Sequence, residues 1–230
     1  MPRQEGVWFA GDLHGGFPEL IRCARDLRPA AIILMGDIEA PAMLDEVLAP
    51  LLEHTEPWWI VGNHDTDSPQ TYDHLFKSRL ADRNLHGRVV DIAGYRIAGL
   101  GGVFRKQVWM PPQGPKFESP RDYLDSCGKG NWWRGGLPLR HRSTIFRSDM
   151  GFALAERADI LVCHEAPSCH PHGIAAIDEL ARTLGVRRVF HGHHHQLYVQ
   201  PDTGLGFSTV GTGLRGIVDV SGEIVFAGEK

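Results

Sequence analysis

VWFAGDLHGG, residues 7–16, passes from four consecutive apolar residues straight into a Gly-Asp-x-His-Gly-Gly turn. An unbroken apolar run closed by glycine suits a strand covered on both faces. Phe17, Leu20, Ile21, Ala24 and Leu27 then recur at three- and four-residue spacing, the mark of an amphipathic helix, and Pro29 closes it. The same pattern returns twice. AIILMGD (31–37) predicts a second buried strand, and 42–54, entered at Pro41, a second helix. WWIVGNHD (58–65) predicts a third strand, and 72–85, with Tyr72, Leu75, Phe76 and Leu80, a third helix. Three strand–helix units in succession predict an α/β fold with a largely parallel sheet and helices outside.

Beyond residue 85 the period changes. RVVDI, Gly94 and YRIAGLGG read as two strands about a turn, a hairpin or sheet edge. Residues 104–145 then lose clear periodicity and hold five prolines, Trp109, Trp132 and Trp133. With eight Lys/Arg against three Asp/Glu this stretch carries 8 − 3 = +5, leaving −4 − 5 = −9 on the remainder. It exceeds the usual connection length, and its tryptophans are unlike a disordered segment. We expect an insertion or lid on a single domain spanning 1–230. A helix near 148–157, a strand at 160–163, a helix near 173–184 and the strand-plus-loop VRRVFHGHHH (186–195) follow, before a tail of short strands and turns.

Composition narrows the function classes. A net charge of 24 − 28 = −4 disfavours a protein that coats nucleic acid by bulk charge, although the 104–145 stretch is locally basic. No apolar run is long enough to span a membrane, and no signal peptide precedes the first strand, so a cytoplasmic protein without membrane partners is expected. The four cysteines, at 23, 127, 163 and 169, show no CxxC and read as free thiols. Thirteen histidines are unusual for this length, and many crowd between 164 and 195.

Acid, amide and imidazole side chains stand where the predicted strands end: Asp12 and His14, Asp37, Asn63 and His64, His164, and His193, His194 and His195. Open α/β sheets place ligands at these ends, so residues distant in sequence can converge. An unpaired carboxylate at the end of an apolar strand, as at Asp37, carries a heavy desolvation cost that a dication removes. In an extended segment His193 and His195 would face one way and His194 the other, making His194 a neighbour of ligands or substrate. Asp12, His14, Asp37, Asn63, His164, His193 and His195 are too many ligands for a single zinc, and fit two adjacent ions sharing a carboxylate. Mixed nitrogen and oxygen ligation suits Mn²⁺, with Fe or Zn as alternatives. His64 is a poor ligand beside Asn63 but well placed as a proton donor. Asp65 reads equally as the residue that orients His64 and as a cap on the next segment.

GDLHG (11–15), GD (36–37), GNHD (62–65), His164 and GHHH (192–195) together resemble the calcineurin-like metallophosphoesterase superfamily in order and spacing, over nearly the whole chain. The resemblance implies a four-layer αββα sandwich of two mixed β-sheets flanked by helices. It implies Asp12, His14, Asp37 and His195 around one ion and Asp37, Asn63, His164 and His193 around the other, with His64 beside the phosphate. The first motif resembles the phosphoprotein-phosphatase branch and its diadenosine tetraphosphatase relatives. The second does not, because GDIEAP (36–41) stands where that branch has a valine-aspartate-arginine-glycine sequence.

The expected activity is hydrolysis of a small phosphodiester or nucleotide by a metal-bridging hydroxide. A phosphomonoesterase is the alternative, and nucleic acid a disfavoured substrate. A mononuclear zinc hydrolase and an inactive metal-binding scaffold are the rivals of other kinds, against which the complete ligand set argues. With the branch's phosphate-gripping arginine missing, Arg105, Arg134, Arg140 or Arg142 is expected to bind the phosphate. Trp132 and Trp133 are expected to stack a base or cover a leaving group, with His194 nearby. His170 and His172 read as ordinary loop residues.

Overall fold

The computed structural model describes residues 4–229. Eleven strands among the described residues form two sheets. In the first, β1 (Gln4–Ala10), β2 (Pro29–Leu34) and β3 (Glu56–Trp59) run parallel, and β10 (Ile217–Asp219) and β11 (Ile224–Phe226) extend the sheet antiparallel beyond β1. In the second, β5 (Tyr95–Leu100), β6 (Ile160–Cys163), β7 (Arg188–His191) and β9 (Ser208–Thr212) are parallel. Antiparallel β4 (Arg88–Ile92) and β8 (Leu197–Gln200) form its two edges.

Alternation along each strand explains the layering. In β1, Val7 and Phe9 point between the sheets, where they join Ile33, Ile97, Val162, Phe190 and Val210. Trp8 and Ala10 point outward and join Leu20, Ala24, Leu44 and Trp59 in the core beneath the helices. The rings of Phe9 and Phe190 stack across the sandwich with centroids 3.7 Å apart. Each is fully buried and contributes about 1.5–3 kcal/mol in apolar transfer. On the far side, Ala98, Leu100, Leu161 and Cys163 pack against α5 (Ala175–Leu184). The layers are therefore helix, sheet, sheet, helix, as an αββα sandwich requires. Cys163 faces this outer core, and all four cysteines are free thiols.

The helices depart from expectation where local chemistry overrides periodicity. α1 (Pro18–Leu27) agrees with the spacing. The helix expected over 42–54 is α2 (Leu44–Val47) followed by a 3₁₀ turn at Ala49–Leu51, because Pro50 has no N–H to continue the ladder. α3 (Pro69–Phe76) starts earlier than expected, at a capping box in which Ser68 Oγ accepts from the Thr71 N–H. The segment 147–154, expected as an α-helix, winds as 3₁₀ around Gly151. The 104–145 stretch contains α4 (Pro120–Ser126) and two 3₁₀ turns, and it buries Val108, Trp109 and Ile145 in the outer core.

Candidate metal centre

Every ligand-type residue sits just past the carboxyl end of a parallel strand. Three of the loops share an unusual backbone. Asp12 and His14, Asp37 and Glu39, and His193 and His195 each form a pair, two residues apart, with both members at positive φ between 28° and 69°. A non-glycine residue in this region costs of order 1 kcal/mol, and such positions cluster at functional sites. The segment through His193–His195 is therefore not extended, contrary to the expectation from sequence. His194 still leaves the side of its neighbours, stacking on His170 at 4.3 Å, but alternate left-handed turns produce this rather than a strand pleat.

Asp37, His164 and His193 offer ligand atoms that all lie within 4.8 Å of one another. Asp37 and His164 are buried at 1% and 0% exposure. His164 Nδ1 is 2.8 Å from the Met35 carbonyl, so it must donate there. The other nitrogen, Nε2, is then left facing Asp37 Oδ2 and Asn63 Oδ1, each at 3.3 Å. Three acceptors converge on a point that needs a positive charge. In the chain alone that charge is a proton: burial opposes it, but Asp37 and then Asp12 outweigh burial and raise the His164 pKa to about 10. Burial likewise opposes ionised Asp37, yet His164 and the donating His64 N–H pull its pKa below the carboxylate range. His193 is held neutral by burial and by charged His164, its pKa pushed down to about 4.

A second group adjoins the first. Asp12 is fully buried; its Oδ1 accepts the His193 N–H at 2.9 Å, while Oδ2 has no hydrogen-bond partner. Burial raises its pKa. His14 Nε2 and His195 Nε2 lie 3.2 Å apart. A buried carboxylate oxygen left without a partner among the described residues carries a desolvation cost that a positive charge would offset. Two glycines keep the space open. A side chain at Gly36, where φ is +91°, would meet His164 Nδ1 at 2.5 Å, and one at Gly62 would meet the Asp37 backbone at 2.1 Å.

This geometry agrees with what the chain resembles elsewhere. Residues 6–197 match the family described as calcineurin-like phosphoesterase. The chain belongs to that family. An uncharacterized protein of Haemophilus influenzae is 42% identical over 216 residues, 94% of either chain. Among solved structures, TT1561 of Thermus thermophilus superposes with a TM-score of 0.59 at 16% identity, over 95% of this chain and 96% of its own. The phosphopantetheinyl hydrolase PptH of Mycobacterium tuberculosis superposes at 0.53 and 16% identity, over 91% and 90%. At these identities the two structures share the fold alone. The family and the acid–imidazole cluster together support a metal-dependent hydrolase. No helix among the described residues is long and apolar enough to cross a membrane.

In this calcineurin-like chain the remaining predicted residues divide. His64 stands at the mouth, its ring centroid 5.4 Å from that of His14. Its Nδ1 is 2.6 Å from Asp67 Oδ2, a carboxylate not singled out from the sequence although its i, i+3 spacing is visible there. Burial opposes the charged ring, but Asp67 outweighs it and raises the His64 pKa. Asp65 does not touch His64: its two oxygens accept the Ile38, Glu39 and Gly62 N–H groups, tying the second loop to the third.

Arg105 hydrogen-bonds only the hydroxyls of Ser143 and Thr144 and has no carboxylate partner among the described residues. Ser143 Oγ is 2.7 Å from Thr66 Oγ1, which donates to the Asn63 carbonyl, so this guanidinium is linked to a ligand-type residue. Trp133, Arg134 and Arg142 brace the insertion on α3. Both guanidiniums lie over the Trp133 ring, at 4.2 and 4.9 Å; Arg134 pairs with Asp73 and Arg142 donates to the Tyr72 hydroxyl. Trp132 is half-buried with an unpartnered indole N–H. His170 belongs to a packed layer behind the ligand loop, with His194, His191 and Tyr198.

Proposed function

We propose that this chain is a two-metal phosphoester hydrolase acting on a small phosphodiester or nucleotide. The carrying observation is a pair of adjoining clusters whose hydrogen bonding calls for a cation: acceptors alone around His164 Nε2, and an unpartnered buried oxygen on Asp12. Asp37, Asn63, His164 and His193 would hold one ion, and Asp12, His14, Asp37 and His195 the other. Divalent ions bound there supply Lewis acidity toward phosphoryl oxygens and a water of lowered pKa, with Mn²⁺ the best match to mixed nitrogen and oxygen donors and Fe or Zn compatible.

His64 carries its proton to the leaving oxygen, while Asp67 holds Nδ1 and keeps the ring aimed into the mouth. Arg105 offers phosphate oxygens a half-buried charge that has no carboxylate partner among the described residues. Phosphate recognition thus falls to the insertion. The arginine of the phosphoprotein-phosphatase second motif is replaced here by Pro41, with Glu39 placed on His14 instead. A second reading, a phosphomonoesterase, is favoured by the same free guanidinium, which would suit a dianion.

The test is hydrolysis of bis-p-nitrophenyl phosphate and p-nitrophenyl phosphate by enzyme stripped with chelator and reloaded with Mn²⁺. Faster diester turnover, absent before reloading, supports the diesterase. Preference for the monoester makes the protein a phosphatase, and no hydrolysis of either sinks the proposal.

A further inference from the structure

Asp37-x-Glu39 repeats the backbone of Asp12-x-His14, with both outer residues left-handed in each turn, at φ 45° and 45° against 28° and 43°. In the first motif both outer side chains are of ligand type. In the second, Asp37 faces His164, but Glu39 turns toward the other half of the site, where its Oε2 lies 2.5 Å from His14 Nδ1. The turn that delivers it is held on all sides. Asp65 Oδ1 accepts both the Ile38 and Glu39 N–H groups, and the His14 and Gly15 N–H groups donate to the Asp37 and Ile38 carbonyls.

That contact fixes the imidazole. A carboxylate accepts only, so His14 Nδ1 carries a proton, which in the neutral ring makes Nε2 the bare nitrogen; Nε2 is directed at His195 Nε2 3.2 Å away. Among the described residues nothing else bonds His14 Nδ1, so Glu39 alone holds the ring's rotation and tautomer. Fold stability does not account for the arrangement. A partly exposed pair is worth about 0–1 kcal/mol, while each left-handed non-glycine residue costs of order 1 kcal/mol.

We propose that Glu39 is a positioning residue for the second metal ion, holding His14 so that its Nε2 faces the site between Asp12 and His195. The inference rests on the two-ion reading above and adds a residue that touches neither substrate nor ion.

The experiment compares the full-length wild type with Glu39→Ala, Glu39→Gln and Glu39→Asp, each stripped with chelator and titrated with Mn²⁺. Ions per chain, affinity of each ion and the electron-spin signature of a coupled Mn²⁺ pair are recorded, with melting temperature as the folding control. Wild type should take up two ions. Glu39→Ala should lose about 10–100-fold in affinity for one ion and keep the other, with the coupled signal gone at limiting metal. Glu39→Asp, which keeps the charge but falls short of Nδ1, should behave like Ala and serves if Ala does not fold. Glu39→Gln, whose amide oxygen still accepts the Nδ1 proton, should stay within a few-fold of wild type. Two ions bound equally well by wild type, Ala and Asp would overturn the inference and leave the phosphoesterase proposal standing. Equal loss in Gln and Ala would also overturn it, by making the charge rather than the hydrogen bond the active feature. A wild type that binds one ion removes the two-ion reading and this inference with it.

Discussion

His14 and His195 are separated by 181 residues of chain, yet their Nε2 atoms approach to 3.2 Å and their rings meet edge to face. Two imidazoles gain little from such an approach unless something between them takes both lone pairs. His195 is exposed, so its loss should leave the fold intact, within about 0.5 kcal/mol. We expect His195→Ala to lower the Mn²⁺ content from two ions to one, the retained ion lying with Asp37, His164 and His193. Elemental analysis after gel filtration measures this directly. A variant still holding two ions would move the second site away from His195.

Asp12→Asn should separate stability from function in one substitution. Asp12 Oδ2 is buried without a partner, and burial raises the carboxyl pKa. An uncompensated buried acceptor costs about 1–3 kcal/mol, more when charged. In chelator the Asn variant should therefore melt above wild type, since Asp37 remains to balance His164. With Mn²⁺ present the order should reverse, because only wild type gains the stabilisation of the second ion in addition to the first. Melting curves with and without metal decide it; a variant less stable in both would mean that Asp12 is satisfied without an ion.

Asp65 and Asp67, two residues apart, should fail in different ways. Asp67→Asn removes the charge that holds His64 Nδ1, and we expect kcat on p-nitrophenyl substrates to fall about tenfold with KM and metal content unchanged. Asp65→Asn leaves three N–H groups, those of Ile38 and Gly62 buried, with one accepting oxygen, and an unsatisfied buried group costs about 1–3 kcal/mol. It should unfold at markedly lower urea. If Asp67→Asn lost stability and Asp65→Asn lost only turnover, the two roles would be exchanged.

What can be read from sequence follows the apolar strands. A run such as AIILM ending in Gly-Asp states both that a strand is buried on both faces and where it stops, so Asp12, Asp37, Asn63 and His164 fall at strand ends from sequence alone, as they do in the fold. Interruptions are less legible. Pro50 lies within an otherwise regular helical spacing, and the periodicity of Met43, Val47 and Leu51 masks it. Partners of ligands are the least legible, because they depend on dihedral angles that side-chain identity does not encode. Glu39 reaches His14 only because its own φ is positive, and Trp133 is covered by guanidiniums whose direction no spacing rule supplies. Asp67 is the exception, since a carboxylate three residues after His64 is visible on a turn.

The pH dependence of stability should carry a signature of the insertion through His141. This ring is buried beside Tyr123 and Thr144; burial, then the charges of Arg105 and Arg140, lower its pKa to about 4. An ordinary histidine in the unfolded chain titrates near about 6.5. Between these values the unfolded state holds a proton that the folded state refuses, so the stabilisation is complete above the unfolded value and lost as pH falls toward the folded one. The slope is at most about 1.4 kcal/mol per pH unit for one group. The buried histidines of the ligand loop act in the same direction, so the informative quantity is wild type minus His141→Gln. Urea unfolding at about pH 7, 6 and 5 should show that difference shrinking as pH falls, because the variant has no ring to protonate. A constant difference would mean that His141 titrates alike in the folded and unfolded chain, and that the cations around it do not hold it neutral.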